Sequence, residues 1–178
     1  MRNALDKSGL KKFMRAIAAS APTRGHYRIY ITGGGTAVEM GWRESTLDVD
    51  LSVDREDVLR DVQAIKEKLN INIELASPAD FVPALPGSDD RHVHILTLQN
   101  VSFYHYDPYG QFLSKVVRGF EKDLRDADSL IRSGLVVPER MKSLLGRIPK
   151  EIYQKYPNLS PSAVERAVLK YLERYPTG

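Results

Sequence analysis

Apolar residues recur at Leu10, Phe13, Met14, Ile17 and Ala18, three and four positions apart, and this spacing of one buried face predicts a first helix over about residues 5–20. The apolar run 27–31 then reads as a strand, Gly33, Gly34 and Gly35 as a tight turn, and Thr36-Ala37-Val38-Glu39-Met40 as the start of a short helix. A second strand follows through Asp48-Val49-Asp50-Leu51. Asp54 is placed to cap the next helix, with Asp57 in the reciprocal box position and Val58, Val62, Ile65 and Leu69 as its inner stripe. Further strands are predicted at 71–75, 92–98 and 101–106, the last two joined by Gln99-Asn100 as a hairpin.

From Pro108 the pattern is helical. One helix is expected through 111–131 and is ended by Gly134, Pro138 opens another at its first position, and Ser160-Pro161 supplies an N-cap and first residue for the last. Together these elements predict an α/β (α+β) fold, a mixed sheet of about five strands with covering helices and a C-terminal helical part. The expected division is a core over residues 1–107 and a helical region over 108–178 packed on it. No internal repeat or low-complexity linker interrupts it.

Composition narrows the chemistry. The 178 residues contain no cysteine, which excludes disulfides, thiolate zinc sites and cysteine nucleophiles. No apolar run approaches the roughly eighteen residues of a membrane span, and the first residues lack the apolar core of a signal peptide, so the expected address is cytoplasmic, with no membrane partner. A net charge of +3 and a pI near 9.0 permit nucleic acid or a nucleotide polyphosphate as partner without demanding either. Lys11, Lys12 and Arg15, and later Arg140, Lys142, Arg147 and Lys150, are spread along helices among acidic neighbours, and a large nucleic acid would need such residues to converge.

The candidate chemistry lies at the glycine turn and the second strand. Asp48 and Asp50 are one residue apart on a strand, so both carboxylates fall on one face, where they repel unless a cation or proton sits between them. Oxygen-only ligands select Mg²⁺ (or Mn²⁺), which binds through one or two carboxylates and keeps positions for water and phosphates. The glycines allow close approach of an anion to the backbone, and Ser45 and Thr46 are hydroxyl donors just ahead of the acidic pair, although Ser-Thr is also ordinary turn chemistry. Triphosphate plus metal is the implied ligand.

This combination resembles the nucleotidyltransferases of the DNA polymerase beta superfamily, and within it the small bacterial proteins related to the toxins of AbiE-type and MenT-type toxin–antitoxin systems. Their Gly-Gly-Thr motif matches Gly34, Gly35 and Thr36, and the residues ahead of their D-x-D resemble Arg43 and Thr46. The resemblance implies a nucleotidyltransferase core in which Asp48 and Asp50 hold the metal, and Gly34, Gly35, Thr36 and Thr46 bind the nucleotide. It also implies a third carboxylate on a neighbouring strand. Glu74 fits, since a strand holds a base more rigidly than a loop does, and Asp80 competes from the loop 77–80. A later lysine and a final aspartate of the toxin-like members correspond to Lys115, catalytic and nucleotide-binding, and to Asp123 or Asp126.

The activity implied is Mg²⁺-dependent transfer of a nucleoside monophosphate from a nucleoside triphosphate to an acceptor hydroxyl, with tRNA or another RNA as acceptor and a cognate antitoxin as protein partner. The alternatives are nucleotidylylation of a partner protein and a degenerate member that binds without chemistry. Other features read as structural. His92 and His94 share a strand face without a third ligand at zinc spacing, His105 either orients a ligand or satisfies a turn, and no Gly-Lys-[Ser/Thr] completes a P-loop. Tyr153, Tyr156, Tyr171 and Tyr175 read as packing of the last helices before they read as a stacking surface.

Overall fold

A computed structural model describes residues 1–176, and Cα packing divides them into two compact units, one of residues 1–77 with 92–106, the other of 78–91 with 107 onward. The chain therefore passes into the second unit at Pro78, returns at His92 and leaves again after Tyr106. The segment 78–91 falls with the helical unit, which a division at residue 107 assigns to the core.

In the first unit, α1 (Lys7–Ser20) starts at Asp6, whose carboxylate accepts the Gly9 N–H. β1 (Tyr27–Thr32), α2 (Gly33–Glu39), β2 (Asp48–Val53), α3 (Val62–Leu69), β3 (Asn72–Leu75), β4 (Val93–Leu98) and β5 (Val101–His105) follow. The sheet order is β3-β2-β1-β5-β4. β1 runs antiparallel to β2 and parallel to β5, β2 runs parallel to β3, and β4–β5 is the hairpin expected from Gln99-Asn100, with Gln99 left-handed at φ +53°.

Period two separates the sheet's faces. Ile29, Ile31, Val49, Leu51, Val101 and Phe103 point to one side and are fully buried with Leu10, Phe13, Met14 and Ile17 of α1, the five-residue stripe read from the sequence less Ala18, itself buried. The opposite face carries Tyr30, Thr32, Asp48, Asp50, Asn72, Glu74 and Tyr104. The carboxylates of the sheet thus lie on the face away from α1.

Two expectations change locally. Asp54 caps no helix: its carboxylate accepts the Arg28 N–H at 2.8 Å, and the chain makes a 3-10 turn at Glu56–Leu59 before α3 begins. Asp57 is taken by Arg55 at 2.9 Å and by the Tyr27 hydroxyl at 3.0 Å.

The second unit is built around α4 (Pro108–Arg118), packed by α5 (Glu121–Arg132) and α7 (Pro161–Leu172), with α6 (Pro138–Gly146) against α7. The single helix expected over 111–131 is two, because Gly119 takes φ +73° and turns the chain before α5 restarts. Asp107 caps α4 by accepting the Tyr109 N–H and is held by two hydrogen bonds from Arg91, at 3.0 and 2.7 Å, which tie 78–91 to α4. Ser160 caps α7 as expected, accepting the Ala163 N–H. Tyr153 and Tyr171 are buried, the Tyr156 hydroxyl donates to the Ala79 carbonyl and that of Tyr175 to Asp128, so these tyrosines pack the unit. Among the described residues no helix is long and apolar enough to cross a membrane.

Candidate active site

Strand register assembles the site. Asp48 pairs with Asn72 and Asp50 with Glu74 across β2–β3, and Thr32 pairs with Asp50 across β1–β2, so these side chains share the polar face within one or two strand spacings. The Asn72 amide donates to Asp48 at 2.7 Å and to Glu74 at 3.0 Å and so links the two carboxylates. Asp48 and Asp50 are half-buried and Glu74 is exposed.

The glycines fit around this row. The helix begins at Gly33 itself, three residues earlier than the turn pattern suggests, and Gly33 takes φ +60°, a conformation that favours glycine. A Cβ there would come within 3.0 Å of an Asp50 carboxylate oxygen. A Cβ on Gly34 would overlap the Thr46 hydroxyl and stand 2.9 Å from Thr46 Cβ and 3.3 Å from an Arg43 guanidinium nitrogen. Gly34, Arg43 and Thr46 are therefore one cluster. Thr46 is fixed by two backbone hydrogen bonds with Leu5, at 2.7 and 2.9 Å, and donates its hydroxyl to the Asp48 carbonyl at 3.0 Å. Ser45 is exposed beside it.

Gly35 and Thr36 turn inward. A Cβ on Gly35 would lie 2.6 Å from Ile31 Cγ2, so this glycine lets α2 pack against β1. The Thr36 hydroxyl, expected at the phosphates, lies within reach of the Ile31 carbonyl (3.2 Å) and of His105 Nδ1 (3.0 Å), while His105 Nε2 is 2.9 Å from Glu39. Burial holds the His105 imidazole below the ordinary histidine range, and this outweighs the opposing pull of the Glu39 carboxylate. In the neutral ring Nε2 donates to Glu39 and Nδ1 accepts the Thr36 proton; protonation makes Nδ1 a donor and turns the hydroxyl to Ile31. The sequence offered a signal for this: in Val101-x-Phe103-x-His105, period two puts the histidine on the core face.

Lys115, Asp123 and Asp126 form a cluster of their own in the second unit. The Lys115 ammonium donates to Asp126 at 2.6 Å and stands 3.8 Å from Asp123, and all three residues are buried. Asp126 is thus held by Lys115 across the α4–α5 turn. Arg118 stands 3.4 Å from Asp123. Asp80 lies in a 3-10 turn (Pro78–Asp80) of the same unit and is exposed, whereas Glu74 shares the sheet with Asp50. Arg140 and Arg147 converge with Arg91 and Ser143 on a concavity of about 400 Å³, while Lys142 is spent on Glu139 at 2.9 Å.

The donor set suits a hard cation. Asp48 and Asp50 present oxygens on one face, Gly33 leaves the space next to Asp50 open, and Mg²⁺ of this kind needs only one or two protein carboxylates. Among the described residues no group of three or more His, Asp or Glu side chains is gathered for a metal, so a tighter all-protein cage is not on offer.

A five-stranded mixed sheet with helices on its core face, and an acidic pair on the other face beside a glycine-initiated helix, defines a nucleotidyltransferase-like fold. Residues 9–174 match the family described as "Nucleotidyltransferase of unknown function (DUF6036)", and the chain belongs to that family. No curated protein and no solved structure matches the chain.

Proposed function

We propose that the chain transfers a nucleoside monophosphate from a nucleoside triphosphate to an acceptor hydroxyl, with Mg²⁺ or Mn²⁺ held by Asp48 and Asp50. The observation that carries this reading is the row Thr32, Asp50, Glu74, with Asp48 one step along β2 and Gly33 open beside Asp50. A bound divalent cation would supply charge stabilisation of the attacking and leaving oxygens. Gly34 lets Thr46 and Arg43 close on the start of α2, and Arg43 there meets phosphate charge. Glu74 takes the acceptor's proton as the new oxygen–phosphorus bond forms at the α-phosphate and the bond to the β-phosphate breaks, releasing pyrophosphate. An RNA acceptor, such as tRNA, and a toxin-like setting with an antitoxin partner are what the resemblance adds to this reading.

The test incubates the protein with each labelled nucleoside triphosphate, Mg²⁺ and total cellular RNA or protein, followed by gel separation. Label on RNA is expected, and label on protein alone would replace the acceptor. Asp48→Ala and Asp50→Ala are each expected to abolish transfer without lowering the unfolding midpoint, since like-charge repulsion is relieved. Glu74→Gln should slow transfer about a hundred-fold or more with nucleotide affinity nearly unchanged. That pattern in Asp80→Asn instead would make Asp80 the base. A second reading, nucleotide binding without chemistry, is favoured by the exposure of Glu74, and no label with any triphosphate despite measurable binding would select it.

A further inference from the structure

The polar sheet face does not end at the acidic row. Tyr30 lies two residues before Thr32 on β1 and is in register with Tyr104 of β5, which pairs with His94 of β4. Tyr106 follows at the end of β5, its N–H bound to the Ile31 carbonyl, and His92 stands opposite it. The five rings touch in sequence: Tyr30 and His92 at 4.3 Å between centroids, His92 and Tyr106 at 4.9 Å, Tyr30 and Tyr104 at 5.7 Å, His94 and Tyr104 at 5.4 Å. All are half-buried except His94, which is exposed, and none belongs to the hydrophobic core.

We infer that this face is a stacking platform for unpaired bases of an RNA acceptor, placed so that a strand lying across it ends at Asp50. This rests on the transfer reading for its direction, not for its binding. The rings cover three adjacent strands, roughly 10 Å at the usual strand spacing, which is more than the single base of a donor triphosphate occupies. Aromatic rings presented on a sheet face accept any base by stacking. Arg28, exposed two residues before Tyr30 on the same face, supplies a cation for the strand's phosphates.

The experiment measures fluorescence anisotropy of a labelled single-stranded RNA of about twelve nucleotides, an abasic strand of the same length and a blunt duplex, at fixed salt and without triphosphate. The base-bearing strand should bind more tightly than the other two. Tyr104→Leu and His94→Leu should each weaken it about five-fold or more and leave the abasic strand unaffected, while Tyr104→Phe keeps the ring and the affinity. His94 is exposed, so its variant remains informative if Tyr104→Leu proves unstable. Equal affinity for the base-bearing and abasic strands, or no loss in His94→Leu, overturns the platform. A matching loss of triphosphate affinity assigns the rings to the donor base and overturns it too. Asp50→Ala should retain RNA binding, so a failed transfer assay and a failed platform are told apart.

Discussion

Gly34 is glycine because of what stands against it. Its Cα faces Thr46 and Arg43 so closely that any side chain displaces Thr46, which is pinned to Leu5 by two backbone hydrogen bonds and cannot yield without opening that bridge. That packing also sets Arg43, the proposed phosphate contact, beside the start of α2. Gly34→Ala is therefore expected to cost about 1–3 kcal/mol in urea unfolding and to lower triphosphate affinity as well. An unchanged unfolding midpoint would mean that the Thr46 loop is softer than its hydrogen bonds imply.

At the scale of elements, the buried Lys115–Asp126 pair joins α4 to α5. Lys115 and Asp126 retain only 11% and 5% of side-chain exposure, so removing the ammonium takes from two buried carboxylates the cation they share, with Arg118 still 3.4 Å from Asp123. Lys115→Met is expected to destabilise the protein by roughly 3–5 kcal/mol, and adding Asp126→Asn should recover part of that loss, both read by chemical denaturation. A loss under 1 kcal/mol would show the cluster to be well solvated.

The same elements show what the sequence disclosed. Strong periodicity marked α1, the strands and the hairpin, because burial of one face writes itself as period 3.6 or 2. The shared face of Asp48 and Asp50 was legible for that reason as well, whereas Glu74 entered through the family resemblance, and the register sets it beside Asp50. The break at Gly119 was not, since a single glycine is tolerated within a helix and nothing in 111–131 lost its apolar rhythm. Nor was Asp54, whose capping pattern was complete but whose carboxylate is claimed by Arg28 from a strand distant in sequence. Thr36 carried the right motif, yet a buried histidine on β5 competes for its hydroxyl.

For the whole molecule that histidine sets a pH dependence. His105 is held neutral by burial, with Glu39 as the carboxylate facing it and Lys7 reaching Glu39 at 3.9 Å. A depressed folded pKa means that the unfolded chain takes up the proton first as pH falls, so its contribution is full above about pH 6.5 and drains away below it. Urea midpoints measured from pH 8 to pH 5 should fall below about 6.5, and the gap between the protein and His105→Gln should narrow over the same range. A gap that stays constant would place the histidine pKa at its ordinary value.

The parallel pairing of β1 with β5 joins residues 27–31 to 101–105, and the helical segment 78–91 intervenes before β5 is reached. During translation the acidic strand emerges and pairs with its first neighbours while the other side of β1 still has no partner. A product terminated anywhere in 78–91 would bear its carboxylates on a three-stranded remnant whose raw edge is the buried, isoleucine-bearing centre of the finished sheet. Premature stops in this gene should therefore yield insoluble fragments and not dominant, partly active ones.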